Sequence, residues 1–399
     1  MPDAHAPSRR PGPSRAEVGR VFLKLGLIGF GGPAAHIALM RREVVERRHW
    51  VDDPRFLDLF AASNLIPGPS STELALIIGL EQGGWPALLL AGALFILPSA
   101  LMVLGLAWAY VRFGSLAEPR WILYGIIPIV VGIIADALWQ LGHSAIWDRR
   151  RALGDRVRQI AVAVAAIGLY FLGVDVIVIL LGGGIVVMAV VLIGRRLDGS
   201  AHAAPLGIGA WLAGTATATP TTAASFSLVT LFLTFLKVGA VLFGSGYVLL
   251  AFLRADLVQH LHWLTDRQLV DAVAIGQLTP GPVSTTATFV GYVTGRWWGA
   301  LVATVAIFLP AFIYVPLVHR LLPRARRSIG ARAFLDGATA AGLGLMASVT
   351  VQLGATAIVD ALTAILAAGS FIVLRRFQVN SAWLILVGAG IGVAAKLLA

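Results

Sequence analysis

Pro67-Gly68-Pro69-Ser70-Ser71-Thr72 and, 213 residues further on, Pro280-Gly281-Pro282-Val283-Ser284-Thr285-Thr286 interrupt two otherwise apolar runs, 56–80 and 270–294. Proline removes a backbone donor and crowds the preceding turn, so neither run can be one continuous helix. Each reads as two half-helices meeting at a break, in the manner of a re-entrant segment. The register around the breaks extends in both directions. Phe22-Leu23-Lys24-Leu25-Gly26 falls on Phe235-Leu236-Lys237-Val238-Gly239, Arg41 on Arg254, Glu43 on Asp256, His49-Trp50 on His262-Trp263, Asp53 on Asp266 and Asp58 on Asp271. Beyond a one-residue gap, Gly79, Trp85, Leu97-Pro98, Gly125, Gly132 and Gln140-Leu141-Gly142 fall on Gly291, Trp297, Leu309-Pro310, Gly337, Gly344 and Gln352-Leu353-Gly354. Compositional bias does not align lysine, His-Trp and Pro-Gly-Pro in one register, so the chain is a duplication. Its halves are 1–199 and 226–399, joined by an Ala/Thr/Pro-rich linker, 200–225, that reads as a loop.

Composition says which solvent those halves face. Hydrophobic residues make up 58% of the 399 and charged residues only 13%, against about 25% charged in soluble domains. A soluble chain would lack the polar surface to cover itself, whereas runs of about 20 apolar residues span a bilayer. The first half supplies 21–40, 56–80, 86–111, 121–141, 160–172 and 176–194, and the second 226–253, 270–294, 298–318, 333–353, 357–374 and 382–398. The expected fold is an all-α integral membrane protein of about 10–12 transmembrane or re-entrant helices, with the Pro-Gly-Pro-broken helices near the midplane. The net charge of +11 comes from arginines clustered between apolar runs, the pattern of cytoplasmic membrane loops rather than of a nucleic-acid groove. In the first half the basic loop follows the fourth run, and in the second it follows the third. Equivalent loops thus fall on opposite faces, and the halves are expected to be inverted repeats.

Inverted repeats with matched broken helices characterise secondary transporters, whose site lies where half-helix ends converge. A helix start offers free N–H groups and a partial positive charge, which suit an oxyanion. Gly68, Ser70, Ser71, Thr72, Gly281, Ser284 and Thr285 are therefore candidate substrate contacts, with the amides of Asn64 and Gln277 three residues before each break. Gly31, Gly32, Gly244 and Ser245 read as helix breaks or close-packing points that join this set. Lys237, inside an apolar run, is a candidate cation for the substrate; Lys24, its repeat partner, serves the same purpose or snorkels to the interface. Glu73, opposite Thr286, is a candidate proton carrier or a salt-bridge partner of Lys24. No catalytic constellation, metal-ligand spacing or cofactor motif appears, and there is no cysteine.

The repeated Phe-Leu-Lys-x-Gly, the glycine motif, the acidic-plus-His-Trp loop, Leu-x-Pro-Gly-Pro and Leu-Pro together resemble the chromate ion transporter family in its long, two-domain form. The resemblance covers 20–142 and 233–354. It implies a multi-pass protein of the cytoplasmic (inner) membrane that exports chromate, energised by the proton gradient or membrane potential, and confers chromate resistance. Sulfate is the structural analogue, so a sulfate or other oxyanion permease, or a passive anion channel, are the alternatives. The implied partners are the oxyanion and the lipid bilayer, without nucleic acid; a homodimer is left open. Gly244-Ser245-Gly246 departs from the Gly-Gly-Pro of the first half, which argues against equal use of both halves.

Overall fold

A computed structural model describes residues 13–113, 117–146, 153–197, 226–243, 248–325, 328–377 and 379–397. Among these residues there are fourteen α-helices and no strand. The first half comprises α1 (Arg15–Ile28), α2 (Gly32–Arg41), α3 (Asp53–Ser63), α4 (Ser70–Phe113), α5 (Ala117–Ile146), α6 (Leu153–Phe171) and α7 (Val176–Leu197). The second repeats the order with α8 (Leu228–Val241), α9 (Leu249–Leu253), α10 (Asp266–Leu278), α11 (Thr286–Ala325), α12 (Ile329–Ala357), α13 (Ala361–Phe377) and α14 (Ser381–Leu397). Among the described residues, five helical segments are long and apolar enough to cross a membrane: Ser70–Phe113, Trp121–Ala145, Val176–Arg195, Val283–Arg320 and Ile329–Ala357. Large apolar side chains on their outer faces, such as Leu89, Leu101, Leu301 and Ile313, are exposed, as lipid solvent allows.

Local chemistry explains the boundaries. Equivalent residues Asp52 and Thr265 cap α3 and α10, each side-chain oxygen accepting from a backbone N–H three residues on, which satisfies a donor the helix start leaves free. The runs at 56–80 and 270–294 divide at Pro-Gly-Pro as expected, into α3 with the start of α4 and α10 with the start of α11. The start of each second half-helix differs: α4 begins directly at Ser70, whereas a single tight turn, Val283–Thr285, precedes α11. The runs at 56–80 and 86–111 separate as expected: the backbone leaves helical geometry at Gly83 and Gly84 in α4 and at Gly295 and Arg296 in α11, so each is two helical arms, folded back so closely that a Cβ at Gly79 would meet Ala87 and Ala91 and one at Gly291 would meet Gly299. The run at 21–40 is also divided, at Gly29 to Gly31 between α1 and α2.

Matched polar residues hold each half's first hairpin shut. Lys24 Nζ lies 2.6 Å from Glu43 Oε1, and its equivalent Lys237 lies 2.7 Å from Asp256. Arg41 and Arg254 pair with Asp53 and Asp266, both at 2.7 Å. The Trp50 and Trp263 amides close the following turns by donating to Val44 and Leu257 carbonyls, with His49 and His262 both at φ 53. The alternative pairing of Lys24 with Glu73 does not occur: Glu43, on the turn packed beside α1, takes the ammonium instead. Burial pushes the Glu43 carboxyl up, and Lys24, Arg47 and Arg48 outweigh it, holding it below the usual glutamate value.

The halves are not separate packing units. α4 packs on α11, and α5 on α12; beyond that, α5 is clasped by α13 and α14 of the second half while α12 is clasped by α6 and α7 of the first. Glycine permits the clasp, since a Cβ at Gly125 would collide with the α14 backbone at Gly388 and one at Gly337 with the α7 backbone at Gly183. Small residues allow such close approach where lipid gives helices no hydrophobic reason to associate. The same contacts extend the repeat into the last helices, for Gly132 meets Ala367 and Ser370 while Gly344 meets Ala163 and Ala166. Glu81, Gly92 and Tyr110 of α4 meet His319, Phe312 and Phe289 of α11.

Two outcomes follow from this packing. The Ser99 and Thr285 hydroxyls, one from each half, are 2.8 Å apart, within the reach of a disulfide between cysteines placed there. With a protease site inserted in 200–225, oxidised Ser99→Cys/Thr285→Cys protein should remain one band after cleavage without reductant; two bands would show that the halves do not interlock here. For the ion pairs, Lys237→Gln and Asp256→Asn should each lower stability, and the double variant should cost less than their sum, with a coupling of about 1 kcal/mol or less for so exposed a lysine. A thermal-stability cycle in detergent reads this, and strict additivity would dismiss the pair. Glu43 works in the acid direction: its folded value lies below its unfolded one, so its contribution is present at neutral pH and lost as pH falls through the folded value.

Candidate functional site

The two Pro-Gly-Pro breaks are tied to each other's half. Gly68 donates its N–H to the Leu242 carbonyl at 2.5 Å, and Gly281 donates to the Gly29 carbonyl at 2.7 Å. Leu242 and Gly29 are themselves equivalent, each immediately following the first helix of its half. Gly68 and Gly281 adopt φ 138 and 97, the left-handed region that favours glycine. A Cβ at Gly68 would fall on the Glu73 carboxylate, and one at Gly281 within 2.7 Å of Ser99 Cβ.

Around these breaks lie buried polar groups that no other described residue satisfies. Thr72 Oγ1, Ser284 Oγ and Gln277 Nε2 have no hydrogen-bond partner, and neither Glu73 carboxyl oxygen has one in another residue. All four residues are buried, Glu73 completely. Native proteins leave few such groups, because each costs about 1–3 kcal/mol, and more when charged. Here they gather within five residues of the two breaks. Ser71 and Thr285 are committed instead: Ser71 Oγ lies 3.2 Å from His36 Nδ1, and Thr285 Oγ1 bonds the Pro282 carbonyl as well as Ser99. The other His36 nitrogen lies 2.8 Å from the Gly29 oxygen, so His36 donates from Nε2 to the carbonyl that also receives Gly281. The sequence reading missed His36, whose repeat partner is Leu249; its place in an otherwise apolar stretch of α2 was the signal available.

Gly31, Asn64 and Ser70 meet beside the first break, on the wall of a cavity of about 880 Å³. Asp136 and Gln140 of α5, Arg375 of α13 and Asn380 before α14 complete its polar lining. Gln140 Nε2 donates to Asp136 Oδ2 at 2.6 Å, and the Arg375 guanidinium stacks over Trp139 with 5.5 Å to the ring centroid. These four residues were also missed, because they lie well away in sequence from either break and, Gln140 excepted, none is matched in kind by the repeat. Gly32 is buried at the start of α2 with φ 76. Gly244 and Ser245 lie outside the described residues.

Lys24 and Lys237 are absent from the cavity wall, and each has a carboxylate of its own half within ion-pair distance.

The family model described as chromate transporter matches residues 16–188 and 229–393, one stretch in each half. A chromate transport protein of Cupriavidus metallidurans is 34% identical over 378 residues, covering 93% of this chain and 90% of that one. Another of that name, from Pseudomonas aeruginosa, is 33% identical over 338 residues, 83% of this chain and 79% of that one. An uncharacterized transporter of Bacillus subtilis is 33% identical over 125 residues, which are 70% of its own chain but 31% of this one, so it is a relative of roughly one repeat's length. No solved structure matches the chain. Matched over both halves and related along most of its length to chromate transport proteins, this all-helical, multi-pass membrane chain belongs to the chromate transporter family.

Proposed function

We propose that the chain is a secondary-active transporter that exports chromate, or a sulfate-like divalent oxyanion, from the cytoplasm and so confers chromate resistance. The observation that carries this reading is the set of uncommitted buried donors, Thr72, Ser284 and Gln277, beside the two cross-bonded breaks. A tetrahedral oxyanion offers acceptor oxygens that donors of this kind lack. The start of α4 adds its share of positive dipole. Glu73 is the proposed proton carrier, since a buried carboxylate without partners is costly as an ion and a proton removes that cost. The inverted-repeat reading, in which a two-fold in the membrane plane exchanges the two access routes, is supported by the basic loops that fall at non-equivalent places in the two halves. The names of the relatives supply the choice of chromate.

Everted membrane vesicles test the reading directly. Chromate uptake should run uphill and should fall when the proton gradient is collapsed. Uptake that only follows the electrochemical gradient would make the protein a passive channel, and preference for sulfate would make it a sulfate permease. Gly68→Ala and Gly281→Ala each force an alanine into positive φ, a strain of about 1–3 kcal/mol, and should reduce flux by roughly tenfold or more while the protein still inserts. Wild-type flux in both would reduce the breaks to simple kinks. Glu73→Gln should retain flux and lose its proton dependence. Inversion has its own readout: thiol labels at Arg151→Cys and Asp360→Cys, in equivalent loops, should react from opposite faces.

A further inference from the structure

We propose that Asp271 is a proton-binding site distinct from Glu73, and that Tyr110 of the other half couples its protonation to the contact between the halves. This rests on the proton-coupled transport reading above and gives it a second proton site.

Asp271 lies on α10, the half-helix that runs into the second break. Asp266 opens that helix, and Asp271 sits past its first turn, where the favourable end of the dipole no longer reaches. The residue is 1% exposed. Its Oδ2 accepts from the Tyr110 hydroxyl of α4 at 2.7 Å, and its Oδ1 is buried with no partner among the described residues. A carboxylate held this way leaves part of its desolvation cost uncompensated, and a proton on Oδ1 removes the charge that incurs it. The proton is taken from water and returned to it, and no other bond changes.

Tyr110 of α4 and Arg267 of α10 are the ionisable groups that act on this carboxyl. Tyr124 of α5, which shares a small cavity with Arg267, is committed to Asp360 at 2.5 Å. Burial prevails and pushes the Asp271 carboxyl up to about 6, against the hydrogen bond from Tyr110 and the charge of Arg267. Since α10 lies outside the five spanning segments, solvent is within reach. The cavity, of about 100 Å³, is lined by Arg267 and by Val270, the residue before Asp271, and exposed Thr356 and Val359 stand at its edge.

The tie crosses the halves. The Tyr110 ring rests against Phe289 of α11, with centroids 5.1 Å apart, while its hydroxyl reaches α10. A phenol donates more strongly to a carboxylate than to a neutral carboxyl. A proton on Asp271 therefore weakens the bond that holds α4 to the half-helix entering the second break. The pair occurs once. Asp58, the repeat partner of Asp271, is half-buried, and Leu322 stands in the sequence where the repeat places Tyr110.

Infrared difference spectroscopy of the purified full-length protein, titrated with acid, reads the carboxyl C=O band directly. The unmodified protein should show a band that appears with a midpoint at about pH 6 and is missing from Asp271→Asn, whereas Glu73→Gln should keep it. Tyr110→Phe retains the ring packing and serves where Asp271→Asn fails to fold. By removing a donor to the charged form it should raise the midpoint by about one pH unit. A spectrum in which Asp271→Asn loses no band, or a midpoint that Tyr110→Phe leaves in place, overturns the proposal. Vesicle uptake separates it from the transport reading. If unmodified vesicles show no uphill uptake of chromate while the band behaves as stated, the proton site stands and the transport reading falls. If uphill uptake is present and Asp271→Asn changes neither the band nor the pH profile of uptake, transport stands and the proton site falls.

Discussion

Two backbone hydrogen bonds, Gly68 to Leu242 and Gly281 to Gly29, are the constraint around which this molecule is organised. Each crosses from the break in one half to the end of the first helix in the other. In a membrane core an unpaired amide costs several kcal/mol, so a chain that breaks its helices there must bring acceptors to the freed donors. Duplication provides the means, because each half carries both a break and a helix end. The flanking prolines leave the central glycine as the one amide of each Pro-Gly-Pro that can donate, and its positive φ is affordable without a side chain. The exchange of α5 and α12 between the halves interlocks them further, alongside the packing of α4 on α11.

Matched and unmatched polar residues divide by role. Those that the repeat duplicates, the Lys24 and Lys237 pairs, the Arg41 and Arg254 pairs and the capping residues Asp52 and Thr265, satisfy one another within a half. They build the scaffold twice. Glu73, His36, Asp136 and Arg375 face Thr286, Leu249, Ser348 and Phe171 across the pseudo-symmetry, and it is these that stand beside the breaks or the cavity.

From the sequence alone came the lipid solvent, the duplication, the breaks at Pro-Gly-Pro and the glycines and hydroxyls flanking them. Those are legible because composition, proline chemistry and a fixed register act locally or repeat. Even the pairing of Glu43 with Asp256 was on the page as a matched position, though not as the partner of a lysine. What only the tertiary structure decided is which apolar face meets which. Lipid and protein interior are equally hydrophobic, so hydropathy does not distinguish the side of α5 that clasps α13 and α14 from one that faces acyl chains. For that reason the convergence of Arg375, Asp136 and the starts of α2, α4 and α14 on one cavity, and the capture of both lysines by acids 19 residues away, became visible only once the two halves were folded through each other.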